Sequence, residues 1–239
     1  MKALIFDVDG TLAETEELHR AAFNTAFAGA GLAWVWDRAT YGRLLTTTGG
    51  KERIRRYADE TGAMGIDAPA LHAAKTRAFV GLMAAGGISL RPGIGGLILD
   101  ARAQGLSLAV ATTTSPENVD ALMRSVFGVK ACQIFDVIAA GDMVASKKPA
   151  PDVYLLALRQ LGLPAREAVA FEDSANGVRA ATGAGLKVVL SRGVYTMDEA
   201  DAGATLEFQS FADLGGLAGL RRHLLAGPRR AMAPVGLAR

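Results

Sequence analysis

The stretch Lys2-Ala3-Leu4-Ile5-Phe6-Asp7-Val8-Asp9-Gly10-Thr11-Leu12 sets an apolar run against two carboxylates one residue apart, then a glycine and a threonine. The run has the length and composition of a buried strand and is too short for a helix. Open parallel sheets place ligands just beyond the carboxyl ends of their strands, so Asp7 and Asp9 are expected at a site. Two acids this close repel each other unless a cation lies between them or they titrate apart into different roles. Gly10 allows the backbone to turn tightly behind them. An Asx-type turn at a strand end would also produce a bare Asp-x-Asp, so the choice between a turn and a site depends on the residues at the other strand ends.

After Thr11 the pattern turns helical. Leu18, Ala22, Phe23, Ala26, Phe27 and Ala30 recur at three- and four-residue spacings until Gly31. Further helical segments are expected over Asp37–Leu45, Lys51–Glu60 and Ala68–Ala85, with no strand pattern among them, and Trp34 and Trp36 are expected to pack inside this helical insert. From Arg91-Pro92-Gly93 onward, helices alternate with short apolar strands. The strands are expected at Ser107–Ala111, Phe135–Ala139, Ala168–Phe171 and Lys187–Leu190. The helices are expected up to Gln104 and over Glu117–Phe127, Val153–Leu161, Ala175–Gly183 and Phe211–Leu225. Such alternation argues for an α/β fold: a Rossmann-like parallel sheet covered by helices on both faces, with a small all-helical cap inserted after the first strand. The expected division is a core of residues 1–13 and 88–226, a cap of 14–87 and a flexible tail of 227–239. The glycine-rich run Arg91–Gly96 follows no strand, which argues against a dinucleotide fingerprint.

Composition narrows the classes of function. The chain has 239 residues, 50% of them hydrophobic and 21% charged, and no apolar run approaches the roughly 18 residues of a membrane span. It opens directly on the strand, so no secretory segment is expected. The single cysteine, Cys132, cannot form an internal disulfide, and a cytoplasmic location is expected. A net charge of +2 is too small to argue for nucleic acid or another polyanion as partner. The expected partner is a small molecule, with no nucleic acid and no membrane, and the expected state is a monomer.

Three later stretches again put chemistry at strand ends. Leu108–Ala111 runs into Thr112-Thr113-Thr114-Ser115-Pro116-Glu117, where hydroxyls and backbone N–H groups gather at a helix start. Such a place favours phosphate, although Ser and Thr before Pro are also ordinary caps. Ser146-Lys147-Lys148-Pro149-Ala150-Pro151 holds lysines in an extended segment restricted by prolines, so a lysine here is aimed. Ala168–Phe171 delivers Glu172-Asp173-Ser174. Capping explains part of that pattern, but the paired acids also offer hard oxygen ligands for Mg²⁺. In the insert, Gly49 and Gly50 expose backbone N–H groups ahead of a helix whose first turn carries Lys51 and Arg53, either a clamp for an anion or a glycine turn with solvated basic residues.

These four stretches, in this order, resemble the four motifs of the haloacid dehalogenase-like phosphotransferases. The resemblance implies that Asp7 is the nucleophile and Asp9 the general acid/base, that Thr112 binds the transferring phosphoryl group, and that Lys148, which directly precedes the proline, neutralises it. It further implies Mg²⁺ held by the Asp7 carboxylate, the Asp9 carbonyl and Asp173, with Glu172 acting directly or through water. The dehalogenase branch lacks an acid at the position of Asp9. Asp7–His19, Leu44–Arg53 and Thr112–Ser115 look most like the CbbY-type sugar-bisphosphate phosphatases and the β-phosphoglucomutases. The former remove the C1 phosphate of xylulose 1,5-bisphosphate, an inhibitor of Rubisco, to leave xylulose 5-phosphate. The resemblance thus implies a phosphorylated sugar as substrate, bound by Glu14, Glu17, His19, Gly49, Gly50, Lys51, Arg53, Thr113 and Thr114. A phosphosugar mutase, a phosphoglycolate-type phosphatase and an inactive phosphosugar-binding regulator are the alternatives, and retention of Asp7, Asp9, Lys148 and Asp173 together speaks against the last.

Overall fold

The strands Ala3–Phe6 (β1), Ser107–Ala111 (β2), Val137–Ala139 (β3), Ala168–Glu172 (β4), Lys187–Leu190 (β5) and Leu206–Glu207 (β6) form one sheet in the order β3-β2-β1-β4-β5-β6, all parallel. The structure is a computed structural model and describes residues 1–227; the remainder of the expected tail lies outside the described residues.

The strands are apolar on both sides because both sides are covered. Period-two alternation divides their side chains cleanly. Leu4, Phe6, Leu108, Val110, Val169 and Phe171 join one cluster with the helices Ile94–Ala103 (α5), Pro116–Phe127 (α6) and Gly216–Ala226 (α9). Ala3, Ile5, Ala109, Ala111, Ala168 and Ala170 face Asp152–Leu161 (α7) and Ala175–Gly183 (α8). The second face is built largely of alanine, so its two helices lie close against the sheet.

Four helices fill the interval between β1 and α5: Glu16–Gly29 (α1), Arg38–Leu44 (α2), Gly50–Thr61 (α3) and Ala68–Ala84 (α4). They enclose their own aromatic cluster. Trp36 is fully buried and stands 4.7 Å from the Phe23 ring and 4.8 Å from that of Phe27, and Trp34 packs edge-on to Phe27 at 5.3 Å, which gives both tryptophans the packing role expected of them. Asp37 caps α2 by accepting from the Thr40 N–H, and Asp67 caps α4 by accepting from the Ala70 N–H. The two segments of chain that join this cap to the core run side by side: the Arg91 N–H donates to Leu12 O at 2.8 Å and Ala13 bridges Leu90.

Three expectations need correction. The single helix expected over Phe211–Leu225 is a short 3₁₀ turn, Phe211–Leu214, followed by α9; Gly215 between them has φ +73°, a left-handed conformation that breaks helical geometry. The strand β6 was not expected, since two residues carry no periodicity. The third strand is shorter than expected, beginning at Val137 and not at Phe135.

Candidate active site

Strand order decides which loops meet. β1 lies between β2 and β4, and the chain leaves it in opposite directions across the sheet, so the β1/β4 boundary is a topological switch point with a crevice at its carboxyl edge. Phe6 is in register with Val110 on one side and Phe171 on the other. The residues just beyond them, Asp7, Thr112 and Asp173, therefore converge. Gly10 turns the chain away at φ +81°, and a β-carbon there would lie 2.3 Å from Asp173 Oδ2; no other residue fits.

Lys148 is the charge centre of the crevice floor. Its ammonium donates to Asp7 Oδ1 at 2.6 Å and to Glu172 Oε1 at 2.7 Å, and all three side chains are buried. Burial works against the lysine's charge, but Asp7 and Glu172 outweigh it and hold its pKa above the ordinary lysine range. Burial likewise drives the Asp7 carboxyl up to about 7, against the pull of Lys148 and with a push from Glu172 and Asp9. Asp173 is raised well above its usual range by burial, Asp7 and Glu172. Two buried carboxylates thus share one lysine, with a third acid, Asp173, close by.

Oxygens of Asp7, Glu172 and Asp173 lie within 4.8 Å of one another, a hard donor set with surplus negative charge that suits a divalent cation such as Mg²⁺. A cation placed there would favour the ionised carboxylates that burial now disfavours. Glu172 differs from the other two. Its Oε1 accepts from Lys148 and Tyr154, and its Oε2 from the Asp173 N–H at 3.2 Å and the Ser174 hydroxyl at 3.5 Å.

Asp9 stands apart from this cluster in its partners. Its Oδ1 accepts from Thr15 Oγ1 at 2.5 Å and from His19 Nε2 at 2.8 Å. On the far side of the imidazole, Lys75 Nζ lies 2.6 Å from Nδ1. An ammonium only donates, so Nδ1 is the acceptor and Nε2 carries the proton that it shares with Asp9. The ring is stacked 4.0 Å from Phe79. Burial disfavours the Asp9 carboxylate, but His19, Thr15 and Lys75 more than offset it and hold its pKa below the ordinary range. Burial pushes Lys75 itself down to about 8, against the pull of Asp9.

Most of the residues singled out in the sequence line one cavity between core and cap: Asp7, Asp9, Glu14, His19, Gly49, Gly50, Arg53, Thr112, Thr113, Thr114, Lys148 and Asp173. Thr112 Oγ1 accepts from the Thr114 N–H, and Thr114 Oγ1 accepts from Asn118, so this loop is held rigid at the mouth of β2. Arg53 is buried against the rings of Tyr41 and Phe23 and donates to Tyr41 Oη at 3.1 Å; no carboxylate pairs with it among the described residues.

Two expected binding residues lie outside that cavity. Glu17 is engaged by Arg20, Arg38 and Tyr195. Lys51 pairs with Asp142, which also accepts from Lys147 at 2.8 Å, and lines a neighbouring cavity at the cap–core seam. Glu172 lines neither cavity directly, sitting behind Lys148. The sequence reading missed Lys75 and His72, which line the main cavity from α4, and Tyr154, which reaches Glu172 from α7. Lys75 did leave a trace: Leu71, Lys75, Phe79 and Met83 are the four-residue repeat of a buried face, with a charge in its middle.

Residues 1–185 match the family model for haloacid dehalogenase-like hydrolases. Protein CbbY of Cereibacter sphaeroides is 60% identical over 224 residues, which cover 92% of this chain and 96% of that protein. A crystal structure of CbbY from Rhodobacter sphaeroides in complex with phosphate is similar with a TM-score of 0.89 at 58% identity, over 92% of this chain and 99% of that one. The same values hold for a mutant of that protein in complex with xylulose-(1,5)bisphosphate.

Proposed function

The chain belongs to the haloacid dehalogenase-like hydrolases, and from that premise we propose that it is a Mg²⁺-dependent sugar-bisphosphate phosphatase. Its preferred substrate in this reading is xylulose 1,5-bisphosphate, which it converts to xylulose 5-phosphate and phosphate. The observation that carries the reading is the division of charge around the cavity. The core floor holds acids around Lys148, whereas the α3 and α4 side of the cavity presents the cations Arg53 and Lys75, facing Glu14 and Glu16 at the start of the cap. Arg53 has no carboxylate in contact among the described residues; its partners are Thr47 O and Tyr41 Oη. A molecule with a phosphate at each end matches both surfaces, one phosphate for chemistry and one for anchorage. The complex of a 58% identical relative with xylulose-(1,5)bisphosphate supports the same substrate.

Asp7 attacks the phosphorus in line, and an aspartyl-phosphate forms as the sugar oxygen departs. Lys148, pinned by Glu172, offsets charge on the phosphoryl oxygens, and Thr112 with its neighbouring backbone N–H groups cradles them. Bound Mg²⁺, with Asp7, Asp173 and the Asp9 carbonyl as ligands, would supply further neutralisation of that developing charge. Asp9 Oδ2 makes no hydrogen bond among the described residues, so it is free to face the leaving oxygen while Oδ1 is held by Thr15 and His19. A phosphate dianion beside Asp9 raises its proton affinity, which equips it to protonate the leaving oxygen. Having given up its proton, Asp9 is in the ionised form that His19 favours and takes a proton from the water that attacks the phosphorus. The bond to Asp7 then breaks, phosphate leaves and the Asp7 carboxylate is restored.

The test is phosphate release with Mg²⁺ over a panel of sugar mono- and bisphosphates. One equivalent of phosphate and xylulose 5-phosphate from xylulose 1,5-bisphosphate, at higher kcat/KM than from any monophosphate, is expected. An isomerised sugar phosphate without phosphate release would assign the chain to mutase chemistry. Equal rates on mono- and bisphosphates would remove the anchoring role of the cap.

A further inference from the structure

Tyr154 is fully buried on α7, on the alanine-rich face of the sheet, and its hydroxyl donates to Glu172 Oε1 at 2.6 Å. That oxygen is the one that also accepts from Lys148 at 2.7 Å. The other carboxylate oxygen meets the Asp173 N–H and the Ser174 hydroxyl. A carboxylate offers about four lone-pair sites, and here the protein fills them all. The backbone of α8 fixes the carboxylate from a further side. Gly177 lies so close that a β-carbon there would stand 1.9 Å from Glu172 Cδ. The Tyr154 ring also walls in Lys148, whose ammonium lies 5.0 Å from the ring centroid.

We propose that Tyr154 is a positioning residue for phosphoryl transfer: by sharing Glu172 Oε1 with Lys148 it keeps that carboxylate turned toward the lysine, and so keeps the lysine on Asp7. The proposal rests on the phosphoryl-transfer reading above and deepens it. Glu172 is then a fixed anion that aims a cation. Burial and the neighbouring Glu172 and Asp7 carboxylates hold the phenol's pKa well above its usual value, which keeps the hydroxyl a donor. With the hydroxyl gone, Oε1 loses one of its two donors in a buried site, and the hold of that oxygen on Lys148 loosens although Oε2 keeps its own partners.

Tyr154→Phe removes that oxygen and leaves the ring in its packing. Both proteins are assayed with p-nitrophenyl phosphate at saturating Mg²⁺, and Mg²⁺ affinity is measured by calorimetry on the substrate-free proteins. The variant's kcat is expected to fall roughly 10- to 100-fold, the worth of one hydrogen bond to a charged group. Its KM and its Mg²⁺ affinity should each stay within about threefold, less than such a bond. A kcat within about twofold of wild type would make the hydroxyl idle. A loss of Mg²⁺ affinity in step with kcat would show that Tyr154 serves the metal site and not the lysine. Thermal melting checks that the variant is folded, and Glu172→Gln, which weakens the hold on Lys148 from the other side, should lower kcat without raising KM. Should wild type itself release no phosphate from p-nitrophenyl phosphate, the phosphoryl-transfer reading falls and takes the proposal with it.

Discussion

Lys51 and Arg53 stand two residues apart on α3 and serve different cavities, Lys51 pairing with Asp142 of the core while Arg53 is buried against Tyr41. Two residues is close to half a helical turn, so the pair cannot close on one anion. The two cations therefore have separable effects. Arg53→Ala should lower kcat/KM for xylulose 1,5-bisphosphate by roughly 10- to 100-fold, the worth of a charged hydrogen bond, and change p-nitrophenyl phosphate by less than about threefold. Lys51→Ala loosens a cap-to-core contact and should lower both substrates by the same factor, within about tenfold for a half-exposed pair. A selective loss on the bisphosphate in Lys51→Ala, with none in Arg53→Ala, would reverse the assignment.

The chain of contacts Lys75–His19–Asp9 makes a second prediction. Lys75 Nζ sits against Nδ1 and so fixes the His19 tautomer whose Nε2–H reaches Asp9. Lys75→Met keeps a long apolar stem against Phe23 and Phe79 but frees the imidazole to place its proton on either nitrogen. Proton transfer by a positioned group contributes about 10²- to 10⁴-fold, so kcat should fall by roughly 10- to 100-fold, a part of that contribution, while Mg²⁺ still binds. Steady-state kinetics on p-nitrophenyl phosphate check this. A fall confined to KM would show that Lys75 holds substrate and leaves the acid alone.

What was legible in the sequence was whatever is written in a contiguous run. Strands apolar on both faces, such as Leu108–Ala111, announce a covered parallel sheet, and acids or hydroxyls at their ends announce the site because all parallel strands open on one edge. What stayed hidden depends on how distant helices are turned. His19 and Lys75 are 56 positions apart, and only the packing of α1 on α4 brings them together. The Tyr154–Glu172 contact needs the alanine face that lets α7 approach the sheet. Lys51 and Arg53 looked alike as basic residues of one turn, since nothing local says which side of α3 faces the core. Glu17 was a binding residue only through the resemblance, and its place in the first turn of α1 sets it on Arg20 and on Tyr195 of the core.

His72 offers a test in stability. Its imidazole lies between the two cavities with no hydrogen-bond partner among the described residues, and it faces Lys75 and His19 within the cap, Lys51 from α3 and Asp142 from the core. Burial first, then Lys75 and Lys51, push its pKa from 6.5 down to about 4, against the pull of Asp142. In the unfolded chain it takes up a proton near its ordinary value, whereas in the folded protein it resists until the pH is far lower. Between those two values the unfolded chain binds more protons, so this group's contribution to stability is present above the unfolded value and is lost as the pH falls toward about 4. The buried carboxyls of Asp7 and Asp173 titrate in the opposite sense, but they do so equally in a His72→Asn protein. The difference between the two proteins therefore isolates the imidazole. Urea unfolding at pH 7.0 and 4.5 should show wild type losing on the order of 1 to 2 kcal/mol more than His72→Asn on acidification, the linkage value reduced for the ring's partial exposure. An equal loss in the two proteins would mean that His72 is protonated in the folded state at pH 4.5, and that the cap wall is less hostile to added positive charge than its packing indicates.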